Sequence, residues 1–510
     1  MSRPAILIRK WVIFTHRWMG VGFCLLFLVW FTSGIVMIYC RFPRVEAEDR
    51  LSRSAALDPA RIQIEPDRAQ AAVPASGAPS QIRLNLLDGR PVYRFAFGRR
   101  VGLVFADTGR RLDSVPQEMA LRIAAAWTGF PAASVSFQGL IARDDQWTVY
   151  SSVRPYGPFW KYSWPNGEET YVSRSNGEVV QDTTRGSRVG AYFGAIPHWL
   201  YFVWLRSNAS LWTQLIIWLS GAGTVMSILG LIAGIWMYSP SKRYRFTHGK
   251  SSIPYSGQKR WHMVLGLIFG VVTCTWVFSG LLSMGPFSWL SDPDRPNLER
   301  AFRGDRPGVA GFAGKHPREA IAEAASALKV KELVFASFGG ATFYIARETP
   351  QKSRIIPMRS DPEEALEIGR ILEVVKRAVS PAAIIETRLV KEYELYYLDR
   401  QGRLPLPALY VQLNDAARSA YYIDPKTGRV VQSYGLRSRW NRWLYHGVHS
   451  MDLPLLYARR PAWDILVIAL LLGGTALCIT SLLMAWKVIR RKLIGQGELP
   501  ELQFRKGVAP

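Results

Sequence analysis

The stretch HRWMGVGFCLLFLVWFTSGIVMIY, residues His16–Tyr39, sets the fold class of this chain. It is long, apolar and free of acid, and it returns as HMVLGLIFGVVTCTWVFSGLLSMG from His262. Laid over one another without a gap, His16 falls on His262, Gly20 on Gly266, Trp30 on Trp276, Ser33 on Ser279 and Gly34 on Gly280, each 246 residues apart. An internal repeat of this kind marks a duplicated unit. A second correspondence, His198 on His449, 251 residues apart, places Trp212 on Trp463 and Ile217 on Ile468. A bilayer crossing takes about 20 apolar residues. Four spans are therefore predicted, at 17–40, 209–238, 262–285 and 463–486.

The net charge of +25 gains its meaning from its location. Segments 1–17, 239–260 and 487–510 hold sixteen Lys/Arg against two Glu, and each abuts an apolar run. This is a positive-inside pattern rather than a nucleic-acid patch. It predicts a cytoplasmic N-terminus at 1–16, a basic cytoplasmic loop at 239–261 and a basic cytoplasmic tail at 487–510, closed by Lys487, Arg490, Arg491 and Lys492. The first apolar run is too long for a signal peptide and lacks a small-residue cleavage site, so it reads as an uncleaved span. The expected setting is the inner membrane of a bacterium, with lipid around the spans and large periplasmic regions between them.

Those regions, 41–208 and 286–462, are built alike. Helical spacing appears at 117–127, 316–328 and 362–379, and strand patterns at 145–153 and 169–180. Residues 91–98 (PVYRFAFG) and 102–112 (GLVFADTGRRL) form a shorter copy of the strand pattern. Asn176-Gly177 marks a hairpin turn, paralleled by Asp424 to Gly428. The fold class expected is a four-helix transmembrane bundle of two parallel-topology repeats, carrying two periplasmic α+β domains. Such repeats are related by a pseudo-two-fold axis along the membrane normal.

The four cysteines, Cys24, Cys40, Cys274 and Cys478, lie in or beside apolar segments and form no CxxC or CxxCH. That argues against a c-type haem attachment and a cysteine zinc site. Gly221-Ala222-Gly223 follows no strand, and Gly249-Lys250-Ser251 lacks the first glycine of a phosphate loop. With no nicotinamide or flavin motif, any reductant comes from elsewhere. The spans offer no buried acid for ion coupling, which argues against a transporter.

Chemistry concentrates in the histidines. Of seven, four obey the repeat: His16 with His262 near the inner face, His198 with His449 near the outer. Two imidazoles facing across a symmetry axis supply both axial ligands of a haem iron, and haem b needs only ligands and an apolar slot. Gly20 and Gly266, four residues on, share the helical face of each ligand and leave room for a macrocycle. His446, three residues before His449, falls opposite Ala195 and has no repeat partner. It is a candidate to replace or orient His449. His248 and His316 read as solvated and inert. Trp18, Trp199 and Trp443 read as interfacial anchors.

The strand-and-turn pattern YYIDPKTGRVV (421–431) and the boundary stretches IPHWLYF (196–202) and LYHGVHSMDLPLLY (444–457) resemble the PepSY-associated transmembrane family. The resemblance covers nearly the whole chain and implies PepSY domains outside the membrane. Some relatives are haem-containing inner-membrane reductases of ferric siderophores. It thus implies one or two haems b held by His16, His262, His198, His449 and His446. It further implies a cytoplasmic or membrane electron donor, and a ferric siderophore or similar ferric chelate as substrate. Similar proteins often carry a second histidine where Ala195 stands, which leaves the outer ligand open between His446 and His449. The competing expectation is a non-redox membrane protein whose PepSY units regulate a peptidase or sense an envelope ligand.

Overall fold

The structure, a computed structural model, describes residues 3–75, 77–247, 249–292, 295–304 and 308–493. His248 and residues 494–510 of the basic tail lie outside the described residues. Four helices are long and apolar enough to cross a membrane: α1 (Arg3–Tyr39), α2 (Ala209–Met237), α3 (Gly257–Leu282) and α4 (Ala462–Leu493). α1 and α3 each pack on both α2 and α4, so α1 and α3 stand on one diagonal. Only 22–33% of their apolar windows is buried within the protein. Side chains such as Leu25, Trp218 and Ile268 face outward, and covering this surface requires lipid. Asp464 corrects the expectation of acid-free spans. It is buried in the first turn of α4, where it accepts from the Arg460 guanidinium at 2.8 Å.

Between α1 and α2 lie strands β1 (Gln81–Leu87), β2 (Arg90–Phe97), β3 (Arg100–Phe105) and β4 (Arg111–Leu112). They are followed by β5 (Ser136–Ile141), β6 (Phe159–Ser163), β7 (Glu169–Ser173) and β8 (Val179–Thr183). A short hairpin of β9 (Tyr244–Phe246) and β10 (Gly249–Ser251) joins α2 to α3. Beyond α3 come β11 (Glu332–Phe338), β12 (Ala341–Arg347) and β13 (Ser353–Pro357), then β14 (Ile384–Val390), β15 (Ala408–Leu413), β16 (Ala420–Asp424) and β17 (Arg429–Tyr434).

The two extramembrane regions are not independent. One seven-stranded sheet runs β13-β12-β11-β1-β2-β3-β4, and its antiparallel seam pairs Ile82 with Phe335, Arg83 with Val334 and Leu84 with Leu333. Arg83 and Val334 are 251 residues apart, the spacing of His198 and His449. Tyr93 donates to the Ile64 carbonyl at 2.8 Å and Tyr344 to the Lys315 carbonyl at 2.8 Å, the same spacing again. The core under this sheet draws Ile62, Leu84 and Tyr93 from one region and Ile321, Leu333 and Tyr344 from the other. A sheet that would leave two bare edges if split closes them against each other. Each region also carries its own four-stranded sheet, β5-β6-β7-β8 and β14-β15-β16-β17.

Local expectations fare unevenly. The helix expected at 117–127 forms as Gln117–Thr128, and the turns at Asn176-Gly177 and Asp424–Gly428 close two hairpins. Gly177 has φ +69°, and a Cβ there would come within 2.4 Å of Leu87, so the turn admits only glycine. The helix expected over 362–379 begins only at Ile368, because Glu363 pairs with Ile355 and the Leu366 amide donates to Pro425. That expected over 316–328 is the shorter Pro317–Ala324. Residues 145–153 form turns rather than a strand. The Asp145 carboxylate accepts the Trp147 amide at 2.9 Å, and the Thr148 hydroxyl accepts the Asp145 amide at 3.0 Å.

A buried ion cluster rivets the seam. Arg83 donates to Glu178 at 2.9 Å and across the seam to Glu332 at 3.2 Å, while Arg94 donates to Asn85 at 2.7 Å and to the Asn176 carbonyl. Burial alone would raise the Glu178 carboxyl, but Arg83 and Arg94 hold it down to about 2 against 4.5 for the free group. A depressed carboxyl stabilises the fold above its unfolded value and ceases to do so as pH falls through its folded one. Glu178→Gln should therefore cost about 3 kcal/mol at neutral pH. The gap between variant and parent in denaturant midpoint should close as pH falls from about 4.5 to about 2.

Candidate functional site: two histidine pairs on the bundle

His16 lies in α1 and His262 near the start of α3, across the diagonal of the bundle. Their ring centroids are 6.2 Å apart, with planes inclined at 34°. At the other end, His198 and His449 also stand 6.2 Å apart, inclined at 68°. Along α1, His16 and Ser33, which touches His198, are separated by about 25 Å at the helical rise. The structure thus brings the four repeat-related histidines together in two pairs, one at each end of the bundle.

His198 is delivered by the short helix Ala195–Trp199. Gly194 ends the preceding helix, and the turn lays the ring against α1. A Cβ on Gly34 of α1 would sit 3.6 Å from the His198 ring. His449 follows a π-helical turn, Arg442–Gly447, anchored where Trp276 donates to the Val448 carbonyl at 2.9 Å. Such turns widen a helix and recur at functional sites.

Each ring is clasped by its Nδ1 edge. His198 Nδ1 lies 3.1 Å from Ser33 Oγ and 3.1 Å from the Trp30 carbonyl. His449 Nδ1 lies 2.9 Å from Ser279 Oγ and 3.3 Å from the Trp276 carbonyl. The two serines and two tryptophans are the repeat-matched residues of α1 and α3. Each serine hydroxyl gives its own proton to that same carbonyl, at 3.1 and 2.8 Å. A carbonyl can only accept, so Nδ1 carries the hydrogen and Nε2 keeps its lone pair.

The other pair obeys the same logic with different partners. His16 Nδ1 donates to the Met226 carbonyl at 3.0 Å. His262 Nδ1 lies 3.2 Å from Thr480 Oγ1 and 3.3 Å from Ser481 Oγ, and both hydroxyls already donate to the Leu477 carbonyl. A Cβ on Gly230 would fall 2.5 Å from the His16 ring, so only glycine lets this ring lie against α2. In the neutral form, each of the four imidazoles keeps Nε2 as its one electron-pair donor. Among the described residues no group of three or more His, Cys, Asp or Glu gathers around a common point.

His446 stands apart from the pairing. Its ring is 4.6 Å from Tyr445, its Nδ1 3.9 Å from Asp452, and half its side chain is exposed. Arg400 reaches down from the sheet region to Asp452 and to the Ser450 carbonyl, bracing this turn. His316 caps the helix Pro317–Ala324, taking the Arg318 amide at 3.0 Å, and is buried rather than solvated. Trp199 accepts Trp212 Nε1 on its carbonyl at 2.8 Å, and Trp443 donates to Tyr396 at 3.0 Å. Trp18 packs on Phe14 at 6.3 Å.

Between the pairs the bundle axis is filled by aromatic rings. Phe27 stacks on Trp30 at 5.8 Å, and Phe31 meets Trp276 at 5.9 Å. Phe27 seats on Gly223 and Phe31 on Gly474, where an added Cβ would fall 2.9 and 2.2 Å from the ring. Gly221, on the same helix as Gly223, faces open space. Sequence reasoning noted Gly34 and the repeated serines and tryptophans without giving them a role, and missed Gly230, Thr480 and Ser481. Gly474→Ala should lower the melting temperature in detergent through about 1–3 kcal/mol of overpacking. Gly221→Ala should leave it unchanged or raise it slightly.

A family profile, the PepSY-associated TM region, matches residues 14–487, a span that includes all four paired histidines and both extramembrane regions. No curated protein matches the chain.

Proposed function

This chain belongs to the PepSY-associated transmembrane family, and we propose that it works there as a haem b reductase passing electrons across the membrane to ferric chelates. His16 and His262 hold one haem, and His198 and His449 a second. The protein sits in a bacterial inner membrane with its sheets in the periplasm. Arg243, Arg245, Lys259, Arg260, Lys487, Arg490 and Arg491 mark the opposite end as cytoplasmic, following the positive-inside rule.

The carrying observation is the 6.2 Å separation found at both pairs. At that separation one iron would fit between two rings whose free nitrogens faced each other, and His16 with His262 and His198 with His449 would be the residues to hold it. Two imidazoles are too few to hold a bare metal ion, but they suffice for a macrocycle that brings its own four nitrogens. Trp30, whose carbonyl holds His198, has a buried Nε1 with no partner among the described residues, a polar atom that a bound group could satisfy. The parallel repeat is supported by Arg83 facing its own counterpart, Val334, at the seam.

Haem b, when bound, supplies a one-electron iron couple. The chain's part is to hold each Nδ1–H on a fixed acceptor, which sets the tautomer and aims the free nitrogen. Substrate Fe(III) gains one electron from a cytoplasmic or membrane donor and leaves as Fe(II), which hard-oxygen chelators hold less well. A pyridine haemochrome assay should find two haems b per chain. Replacing His16 or His262 with Ala should remove one, and replacing His198 or His449 the other. Full haem in all four variants, or a folded chain that takes up none, sinks the assignment. Ser33→Ala and Ser279→Ala should weaken haem retention at the sheet-side pair about 10–100-fold. Titrating the apo chain with haemin measures this, and the cytoplasmic pair serves as internal control.

A further inference from the structure

A concavity lies between the sheet β14-β15-β16-β17 and the helical segment that leads to His449. It encloses about 240 Å³ and is lined by Arg388, Glu394, Tyr396, Tyr410, Tyr422 and Arg439. That is less than the 300–1,000 Å³ that usually encloses a whole drug-sized ligand. The cup therefore takes one ring or one arm of a larger molecule.

Its polar groups divide into spent and free. Glu394 takes both guanidinium nitrogens of Arg388 at 2.7 Å and the Tyr422 hydroxyl at 2.6 Å, so these three satisfy one another. Tyr410 donates to Gln412 at 3.1 Å. Arg439, in the helix Leu436–Asn441, donates to the Arg418 carbonyl at 3.3 Å, lies over the Tyr396 ring at 5.6 Å, and pairs with no acid among the described residues. Tyr396 accepts from Trp443, but its own proton has no acceptor among them. The cup thus offers a guanidinium with no anionic partner among the described residues and an unmatched phenol proton against tyrosine faces. Forked donors select anionic oxygens, and aromatic faces select flat rings.

The cup also touches the redox end of the molecule. Trp443 and Arg442, on the π-helical turn before His449, hold Tyr396 and the Leu395 carbonyl at 3.0 and 3.1 Å. Tyr445 of the same turn lies 5.6 Å from the His449 ring. We propose that this cup docks one anionic aromatic arm, of the catecholate type, of the ferric chelate. This rests on the reductase reading given above for the identity of the whole ligand.

The test uses the full chain in nanodiscs and a redox-inert probe, the gallium(III) complex of a tris-catecholate. Binding is followed by quenching of intrinsic fluorescence. Arg439→Glu should raise the Kd about tenfold or more. Arg439→Lys should recover part of the loss, and Tyr396→Phe should weaken binding by a smaller factor. Circular dichroism should be unchanged in all three. A neutral gallium tris-hydroxamate should bind more weakly and ignore Arg439. Equal catecholate affinity in the parent and Arg439→Glu, or no saturable binding by the parent, overturns the proposal. Gallium binding requires no electron, so a chain without haem that still binds in this manner removes the reductase reading alone. A haem-loaded chain that fails to bind removes the docking site alone.

Discussion

An imidazole set within an apolar bundle carries a polar edge that lipid cannot satisfy, and the rest of this structure is arranged around that constraint. Each of the four paired rings turns its Nδ1–H to a carbonyl or hydroxyl of a neighbouring segment. The cost of an unmet donor in hydrocarbon makes these bonds obligatory rather than incidental. Once Nδ1 is committed, the neutral form of each ring has only Nε2 left as an electron-pair donor. The proposed haem sites rest on how the helices satisfy this one group.

Holding two such rings at a fixed separation demands that the halves of the chain stay in register. Two elements do this. Within the bundle, α2 and α4 separate α1 from α3, and Phe27 and Phe31 seat on glycines of those helices. Outside it, strands from both halves share one sheet, with Arg83 bonded to acids on either side of the seam. Rigid packing above and below restrains the bundle against sliding, as close-packed interiors resist small displacements. Arg400, carried by the second region, reaches Asp452 beside the His449 turn and joins the two levels.

The membrane helices and the identity of the paired histidines were legible because both depend on local pattern. Apolar length announces a span, and repeat spacing matches His16 with His262. Less was legible where partners come from afar. Gly230 reads as an ordinary helix glycine until His16 is found against it. The reversal at 145–153 looked like a strand because Trp147, Val149 and Val153 favour one, but the Asp145 carboxylate competes for the backbone. His446 stood as an alternative ligand to His449, yet His449 is the ring that pairs with His198, while His446 turns to Tyr445 and Asp452.

The sequence by itself determined that this is a membrane protein whose first and third apolar runs carry a histidine at corresponding places, since composition and period are properties of the chain alone. Only the tertiary structure decided that the two outer regions fuse through β1 and β11 and that each pair of rings stands 6.2 Å apart. Distances between segments some 250 residues apart depend on helix packing and strand register. Those arise from the sum of many weak contacts, and no short stretch of sequence encodes them.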